Sequence, residues 1–280
     1  MKKTFIETYI TKALGLRNGE VISVVGGGGK TSIIKKLAKE MLEFNSASIL
    51  ITTTTNIFFP ENELESSVIL GTEQTIAEML NTKVETKNTI LTLARKKIGK
   101  EIVPNQTDKN LKYMKLKGFK KENIKQFIKN DRIILVEADG SKGLPIKAPN
   151  SDEPVVPEES NYILGVIGLD AIGLPVSKEN VFRQKQFCEV TGMKKKMKVS
   201  PESIASLIRH PNGIFQNSPK NAKRAIILNK ADCIKNIDEI EKIAYIINKL
   251  AHFPREQTDR LVITSCHSWE SSLVYTGVTK

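Results

Sequence analysis

The chain has few aromatic residues, few cysteines and no long apolar run. Aromatics make up 6% of its 280 residues, whereas hydrophobic residues of all kinds make up 40%. An aliphatic core is therefore expected, of the kind that α/β proteins build. No apolar stretch approaches the roughly 20 residues that a membrane-spanning helix needs. Met1 to Glu7 carries basic residues with no apolar segment behind them, so it does not read as a secretory signal. The three cysteines, Cys188, Cys233 and Cys266, are odd in number and far apart. They are expected as reduced, mostly buried thiols of a cytoplasmic protein, and no pair has metal-ligand spacing. Internal repeats and low-complexity tracts are also missing.

Acidic residues are the scarcer charge, 31 against 43 basic ones, for a net charge of +12. Such a balance brings nucleic acid to mind. The basic residues, however, fall in separate runs, Arg95 to Lys97, Lys115 to Lys125 and Lys194 to Lys198, with few aromatics between them. The expectation is a solvated lysine-rich surface with a mild attraction for polyphosphates or an acidic partner. Neither specific nucleic-acid binding nor a membrane role is expected.

What the sequence does have is a strand-like run, Val21 to Val25, that enters four glycines, Gly26, Gly27, Gly28 and Gly29. Lys30, Thr31 and Ser32 follow, then helical spacing of Ile33, Ile34, Leu37, Ala38, Met41 and Leu42. Strand, glycine turn, Lys-Thr and helix is the order of a phosphate-binding loop. Glycines let backbone N–H groups approach a triphosphate, and the helix N-terminus adds positive potential. Lys30 would meet the phosphates and Thr31 would ligate Mg²⁺. Without ligand, Lys30 is expected to face solvent. The longer consensus wants glycine at Val24, so the fit is to the shorter form, Gly26 to Thr31. A dinucleotide fingerprint fits less well, because Thr31 stands at its third glycine.

Three further strand ends carry polar residues. The strand Ala47 to Ile51 runs into Thr52 to Thr55, where Thr53 and Thr54 are candidate ligand contacts. Arg132 to Val136 ends in Glu137-Ala-Asp139-Gly-Ser141, and Glu137 and Asp139 are candidates for holding Mg²⁺ or orienting water. Arg224 to Leu228 ends in Asn229-Lys230-Ala-Asp232, the N-K-x-D pattern that reads guanine. A competing reading makes Asp232 a cap for the helix from Ile237. Thr264-Ser265-Cys266, after a strand taken as the last one, could close over a base. Elsewhere helices are expected over Thr4 to Leu14, from Thr72, over Lys120 to Lys129, Lys178 to Thr191, Ser200 to Arg209 and Ile237 to Leu250. His210, beside Pro211, reads as a cap or packing residue. Residues 95 to 118 are basic and show little periodicity.

With these residues in hand, the chain resembles the YqeC family, accessory proteins associated with selenium-dependent molybdenum hydroxylases. The matching stretches are Val24 to Thr31, Thr52 to Thr55, Val136 to Ser141, Leu144 to Pro149, Gly168 to Ala171, His210 to Gly213 and Asn229 to Asp232. Gly27 stands where the family often has alanine. Phe182 stands where it usually has histidine, before a retained Arg183. A looser resemblance links Glu137-x-x-Gly140 to metallochaperone GTPases of the SIMIBI group.

The expectation is an α/β, P-loop NTPase-like fold with a mainly parallel sheet flanked by helices. One domain would carry a long insertion, about 141–223, as a substrate or partner lobe. The motifs imply a Mg²⁺-dependent protein that binds GTP, with ATP as the other candidate, and hydrolyses it slowly; the resemblance implies that it serves the maturation of a selenium-dependent molybdenum hydroxylase. The partners would be a selenium or molybdopterin intermediate and the hydroxylase client, and Lys147, Asp170 and Arg183 are candidates for the second substrate. Two other readings stay open: a kinase or nucleotidyltransferase acting on such an intermediate, and a nucleotide-gated binding module without turnover.

Overall fold

A computed structural model describes residues 5–44, 48–60, 68–82, 89–101, 113–251, 260–266, 268 and 270–275. The chain opens with strand β1 (Phe5–Thr8) and a short helix α1 (Ile10–Leu14), then β2 (Val21–Gly26), α2 (Lys30–Phe44), β3 (Ser48–Thr53), β4 (Asn56–Pro60) and β5 (Val68–Leu70). Next come α3 (Glu73–Thr82), β6 (Ile90–Ala94), β7 (Lys96–Glu101), β8 (Tyr113–Lys117), a 3₁₀ turn over Lys121–Phe127, β9 (Arg132–Glu137), β10 (Ile146–Lys147) and β11 (Tyr162–Gly168). The last part holds β12 (Val181–Phe182), α4 (Gln184–Thr191), α5 (Pro201–Arg209), β13 (Lys223–Asn229), α6 (Ile237–Ala251), β14 (Arg260–Ile263) and β15 (Ser272–Tyr275).

Ten strands form one sheet in the order β1-β15-β14-β13-β11-β2-β9-β3-β6-β5. From β14 to β5 every neighbour is parallel, and only the pairs β14–β15 and β15–β1 are antiparallel. The central strands are apolar runs because both faces are covered. Ile22, Val24, Ile133, Leu135, Leu164 and Val166 face α1 and α2. Val21, Val25, Ile134, Val136, Ile163 and Ile167 face the opposite way, toward α3, α5 and α6. The aliphatic core expected from the composition is this pair of layers.

Several elements depart from the sequence expectation. Phe5–Thr8 is an edge strand rather than the first part of a helix, because β15 offers it a partner. The helix spacing continues only in Ile10–Leu14. Residues 95 to 118 contain β7 and β8, which join β4 in a second, three-stranded antiparallel sheet. Where an α-helix is expected over Lys120 to Lys129, Lys121–Phe127 form a 3₁₀ helix. The helix expected from Lys178 begins only at Gln184, after β12. The strand after α6 is followed by β15. The stretch expected as an insertion, about 141–223, supplies β11, which lies between β13 and β2 in the main sheet.

Candidate functional site

β9, β2, β11, β13 and β14 are neighbours, so the polar residues at their carboxyl ends meet along one rim. The four glycines sit at the centre of that rim. A Cβ on Gly28, whose φ is +74°, would lie 2.0 Å from the Gly168 nitrogen. A Cβ on Gly29, whose φ is +103°, would lie 2.7 Å from the Asn229 side-chain nitrogen. Both positions thus demand glycine twice over, for conformation and for space.

The loop amides divide into two groups. Gly26 N–H donates to Asp139 Oδ2 at 3.1 Å, Gly27 N–H to Val166 O at 2.9 Å and Gly28 N–H to Leu144 O at 3.0 Å. Among the described residues, no partner accepts from the amides of Gly29, Lys30, Thr31 and Ser32, which open α2. An anion at this turn would meet those four, a narrower cradle than a loop in which Gly27 also points inward.

Lys30 differs from expectation: it is 4% exposed instead of facing solvent. Its ammonium donates to Gly26 O at 2.8 Å and Ser141 Oγ at 3.2 Å, and lies 3.4 Å from Asp139 Oδ1. A buried ammonium needs such partners. Asp139 Oδ1 is within ion-pair range of Lys30 but accepts no hydrogen bond, so one buried lone pair is left over. Thr31 Oγ1 donates to Glu137 Oε2 at 2.9 Å. Burial raises the Glu137 carboxyl above the usual range, against the pull of Lys30 and the Thr31 hydrogen bond. The two carboxylates therefore have different stations. Glu137 stands with Thr31, and Asp139 stands between Lys30 and Lys147, whose ammonium is 3.2 Å away.

Thr31 and Glu137 are oxygen donors of the kind that a Mg²⁺ ion takes, and the position of the pair suits a metal held partly by phosphate oxygens. Among the described residues, no group of three or more His, Cys, Asp or Glu could hold a metal ion by protein ligands alone. The threonines act as fasteners. Thr53 Oγ1 donates to Glu137 O at 2.7 Å and Thr54 Oγ1 to Val155 O at 2.7 Å.

Across β11, the Asn229-Lys230-Ala-Asp232 turn reaches the loop. Asn229 Nδ2 donates to Gly28 O at 2.8 Å, and Asn229 Oδ1 accepts from Cys266 N–H at 3.4 Å. Ser265 Oγ donates to Asp232 Oδ1 in a short contact. Asp232 is exposed, while Asn229 is 2% and Ser265 1% exposed. Asp232 does not cap α6, because Asn236 Oδ1 accepts there from Glu239 N–H. Lys230, in the left-handed region with φ 63°, donates to Asp170 Oδ2 at 2.6 Å.

The three second-substrate candidates separate. Asp170 belongs to the Lys230 turn, whereas Lys147 and Arg183 both bind Glu153, at 2.9 and 3.1 Å. Ser141 and Glu153 are parts of this network that the motifs did not single out. Glu153 lies in a proline-dotted stretch and gives no signal by spacing. Although burial works against it, Lys147 and Arg183 hold its carboxyl below the usual range. His210 fits its expected role, with Nδ1 accepting from Asn212 N–H at the end of α5. The cysteines are free, but only partly as expected: Cys233 is exposed and Cys188 and Cys266 are half-buried. Burial pushes the Cys266 thiol up to about 12.

The description "YqeC protein" belongs to the family whose profile matches residues 22–185, a span that holds the glycine loop, Glu137, Asp139 and Arg183. The chain belongs to the YqeC family. It is also 34% identical over 218 residues to "Uncharacterized protein YqeC" of Escherichia coli (strain K12), covering 77% of this chain and 78% of that protein. In this YqeC chain the Asn229 turn and the Ser265 turn lie beyond the profile match. No helix among the described residues is long and apolar enough to cross a membrane.

Proposed function

We propose that this YqeC protein is a P-loop nucleotide-binding protein that takes GTP with Mg²⁺ and hydrolyses it slowly. The observation that carries the reading is the double hold of Asn229. Its side chain grips the glycine loop through Gly28 O and the next turn through Cys266 N–H. The turn that would read a base is thereby fixed in register with the loop that would hold phosphates. Asp232 supports guanine specifically. Ser265 holds one carboxylate oxygen while the residue stays open to solvent. A carboxylate so placed accepts from the N1–H and the 2-amino group of guanine. Adenine has no N1–H and carries its amino group on another edge.

On this reading Lys30 leaves Asp139 for phosphate oxygens, and the free amides of Gly29 to Ser32 add donors. Thr31 and Glu137 hold Mg²⁺. Asp139 keeps Lys30 neutralised before the nucleotide arrives. The cytoplasmic maturation of a selenium-dependent molybdenum hydroxylase is the role in which we place this activity. It rests on the resemblance stated above.

Competition among GTP, ATP and XTP in the presence of Mg²⁺, read by calorimetry on the parent and on Asp232→Asn, tests the reading. The parent should prefer GTP to ATP by on the order of a hundredfold, because a site built around paired hydrogen bonds strands its own carboxylate when the partner is wrong. The Asp232→Asn variant should lose GTP and gain XTP, since an amide can donate to the xanthine 2-carbonyl. Equal parent affinity for GTP and ATP would end the guanine reading and leave only a phosphate loop. Release of phosphate without an acceptor separates a GTPase from a transferase.

A further inference from the structure

Asp170 stands where three parts of the rim meet. It follows β11 in a 3₁₀ turn, Leu169–Ala171, whose two other residues are buried. In the register of β11 and β13, Gly168 lies opposite Asn229, so Asp170 and Lys230 emerge side by side just beyond the paired strands. Lys230 Nζ donates to Asp170 Oδ2 at 2.6 Å, and each side chain is about one-third exposed.

The other carboxylate oxygen is held by packing. A Cβ on Gly168 would lie 2.2 Å from Asp170 Oδ1 and 3.1 Å from Gly28 Cα. Gly168 has φ −80°, a conformation open to any residue, so glycine is required there by space alone. Asp170 Oδ1 fills that space beside the glycine loop. It is buried and accepts no hydrogen bond among the described residues. One oxygen is therefore closed to a second substrate, and the other is taken by Lys230.

Lys230 is the residue that this carboxylate serves. Its backbone is left-handed, with φ 63°, and it opens the 3₁₀ turn Ala231–Cys233 without a side-chain cap. Its Cα thus belongs to the turn that carries Asp232, while its ammonium lies at Asp170, beside Gly168 and Gly28. The methylenes between them run from that turn toward the glycine loop. A lysine stem free in water samples many rotamers, and ordering it opposes ligand binding. The ion pair orders this stem before any ligand arrives. The methylenes then offer an apolar surface while the charged head stays partly in water.

We infer that Asp170 is a positioning residue for the base site: it draws the Lys230 stem from the Asn229 turn toward the glycine loop, where the methylenes support the flat face of a bound nucleotide base. The inference rests on the reading that the Asn229 turn holds a base. It goes beyond that reading in giving Asp170 a part in nucleotide affinity instead of second-substrate binding. A flat ring face is common to guanine and adenine, so the support does not depend on which of them Asp232 selects.

Calorimetry with Mg²⁺ and three ligands, GTP, ATP and base-free tripolyphosphate, provides the test on the full chain, on Asp170→Ala, on Lys230→Met and on the double variant. Asp170→Ala should weaken the nucleotide that the parent prefers by about fivefold, the scale of a partly exposed ion pair, and tripolyphosphate by less than about twofold. In the Lys230→Met background the same change should add nothing, because the two residues act as one unit. Removing Asp170 strands no buried donor, since water reaches the Lys230 ammonium. Asp170→Asn, of the same shape without the charge, repeats the test should the alanine variant fold poorly. A parent that binds tripolyphosphate as tightly as either nucleotide would end the base-site reading, and this inference with it. Where the parent does favour a nucleotide, three results overturn the inference alone: parent-like nucleotide affinity in Asp170→Ala, an equal loss for nucleotide and tripolyphosphate, or an undiminished loss in the Lys230→Met background.

Discussion

Burial of Lys30 among Gly26, Asp139 and Ser141 gives its removal a stability cost that a solvent-facing loop lysine would not carry. Lys30→Ala leaves Asp139 with Lys147 as its remaining cation and strands the Gly26 carbonyl. A loss of about 1–3 kcal/mol is expected in denaturant melts, alongside the loss of triphosphate binding. Parent-like stability would mean that the buried contacts are not kept in solution. Glu137 makes a pH-dependent counterpart. Its folded pKa is raised from 4.5 chiefly by burial. That contribution is fully present below the unfolded value and is lost as pH rises through the folded one. The always-neutral Glu137→Gln should therefore melt higher than the parent at neutral pH, with the difference closing as pH falls to the ordinary carboxylate range. If the variant melts lower at neutral pH, the Lys30 attraction outweighs desolvation. At this scale the sequence was informative about which residues gather, since chemistry-bearing types stand out at strand ends. It was silent on their pairing. Which of Glu137 and Asp139 stands beside Thr31 is set by the β2–β9 register.

The loop and its neighbouring strands form the next unit. Gly27 and Gly28 are adjacent in sequence, yet their environments differ. Gly28 has φ +74° and its Cβ would strike the Gly168 nitrogen at 2.0 Å, backbone that cannot step aside. Gly27 has no left-handed requirement, and its Cβ would come no closer than 2.8 Å, to Leu144 O, with Ile146 N at 3.0 Å, so the backbone around it has less far to move. Gly28→Ala should unfold the loop and lower the melting temperature sharply, while Gly27→Ala should cost much less. Equal effects would contradict the packing of β11 against the loop. Buried parallel strands such as β2, β9 and β11 were legible because apolar runs bounded by glycine and acid are hard to read otherwise. β7 and β8 were not read, because lysine occupies their outward positions. The alternation of buried Met114 and Leu116 with Lys115 and Lys117 is nevertheless a period-2 pattern. β1 was misread because Phe5, Ile6, Tyr9 and Ile10 also satisfy helical spacing, and its partner β15 is only four residues long.

For the molecule as a whole, the net charge of +12 comes from basic residues in separate runs along the chain. Lys96 stands directly opposite Lys117 across β7 and β8. A like-charged pair in that position is mildly destabilising, and water and counterions relieve it. Phe58 lies on the same face, half-buried and covered by Lys115, with the ammonium 5.4 Å from the ring centroid. It is not a bare ring on which a base could stack, and stacking is what single-strand binders add to charge. Polyanions should therefore meet this surface through phosphate neutralisation alone. DNA or RNA of any sequence is expected to bind weakly at low salt and to lose about a thousandfold in affinity between ~50 and ~200 mM salt, as released counterions recondense. Fluorescence anisotropy over a salt series, with two unrelated sequences in parallel, makes the measurement. Equal salt slopes and equal affinities for the two sequences fit a dispersed charge. A defined sequence held tightly at physiological salt would require base contacts, and so a recognition face that neither the sheet nor the basic runs supply.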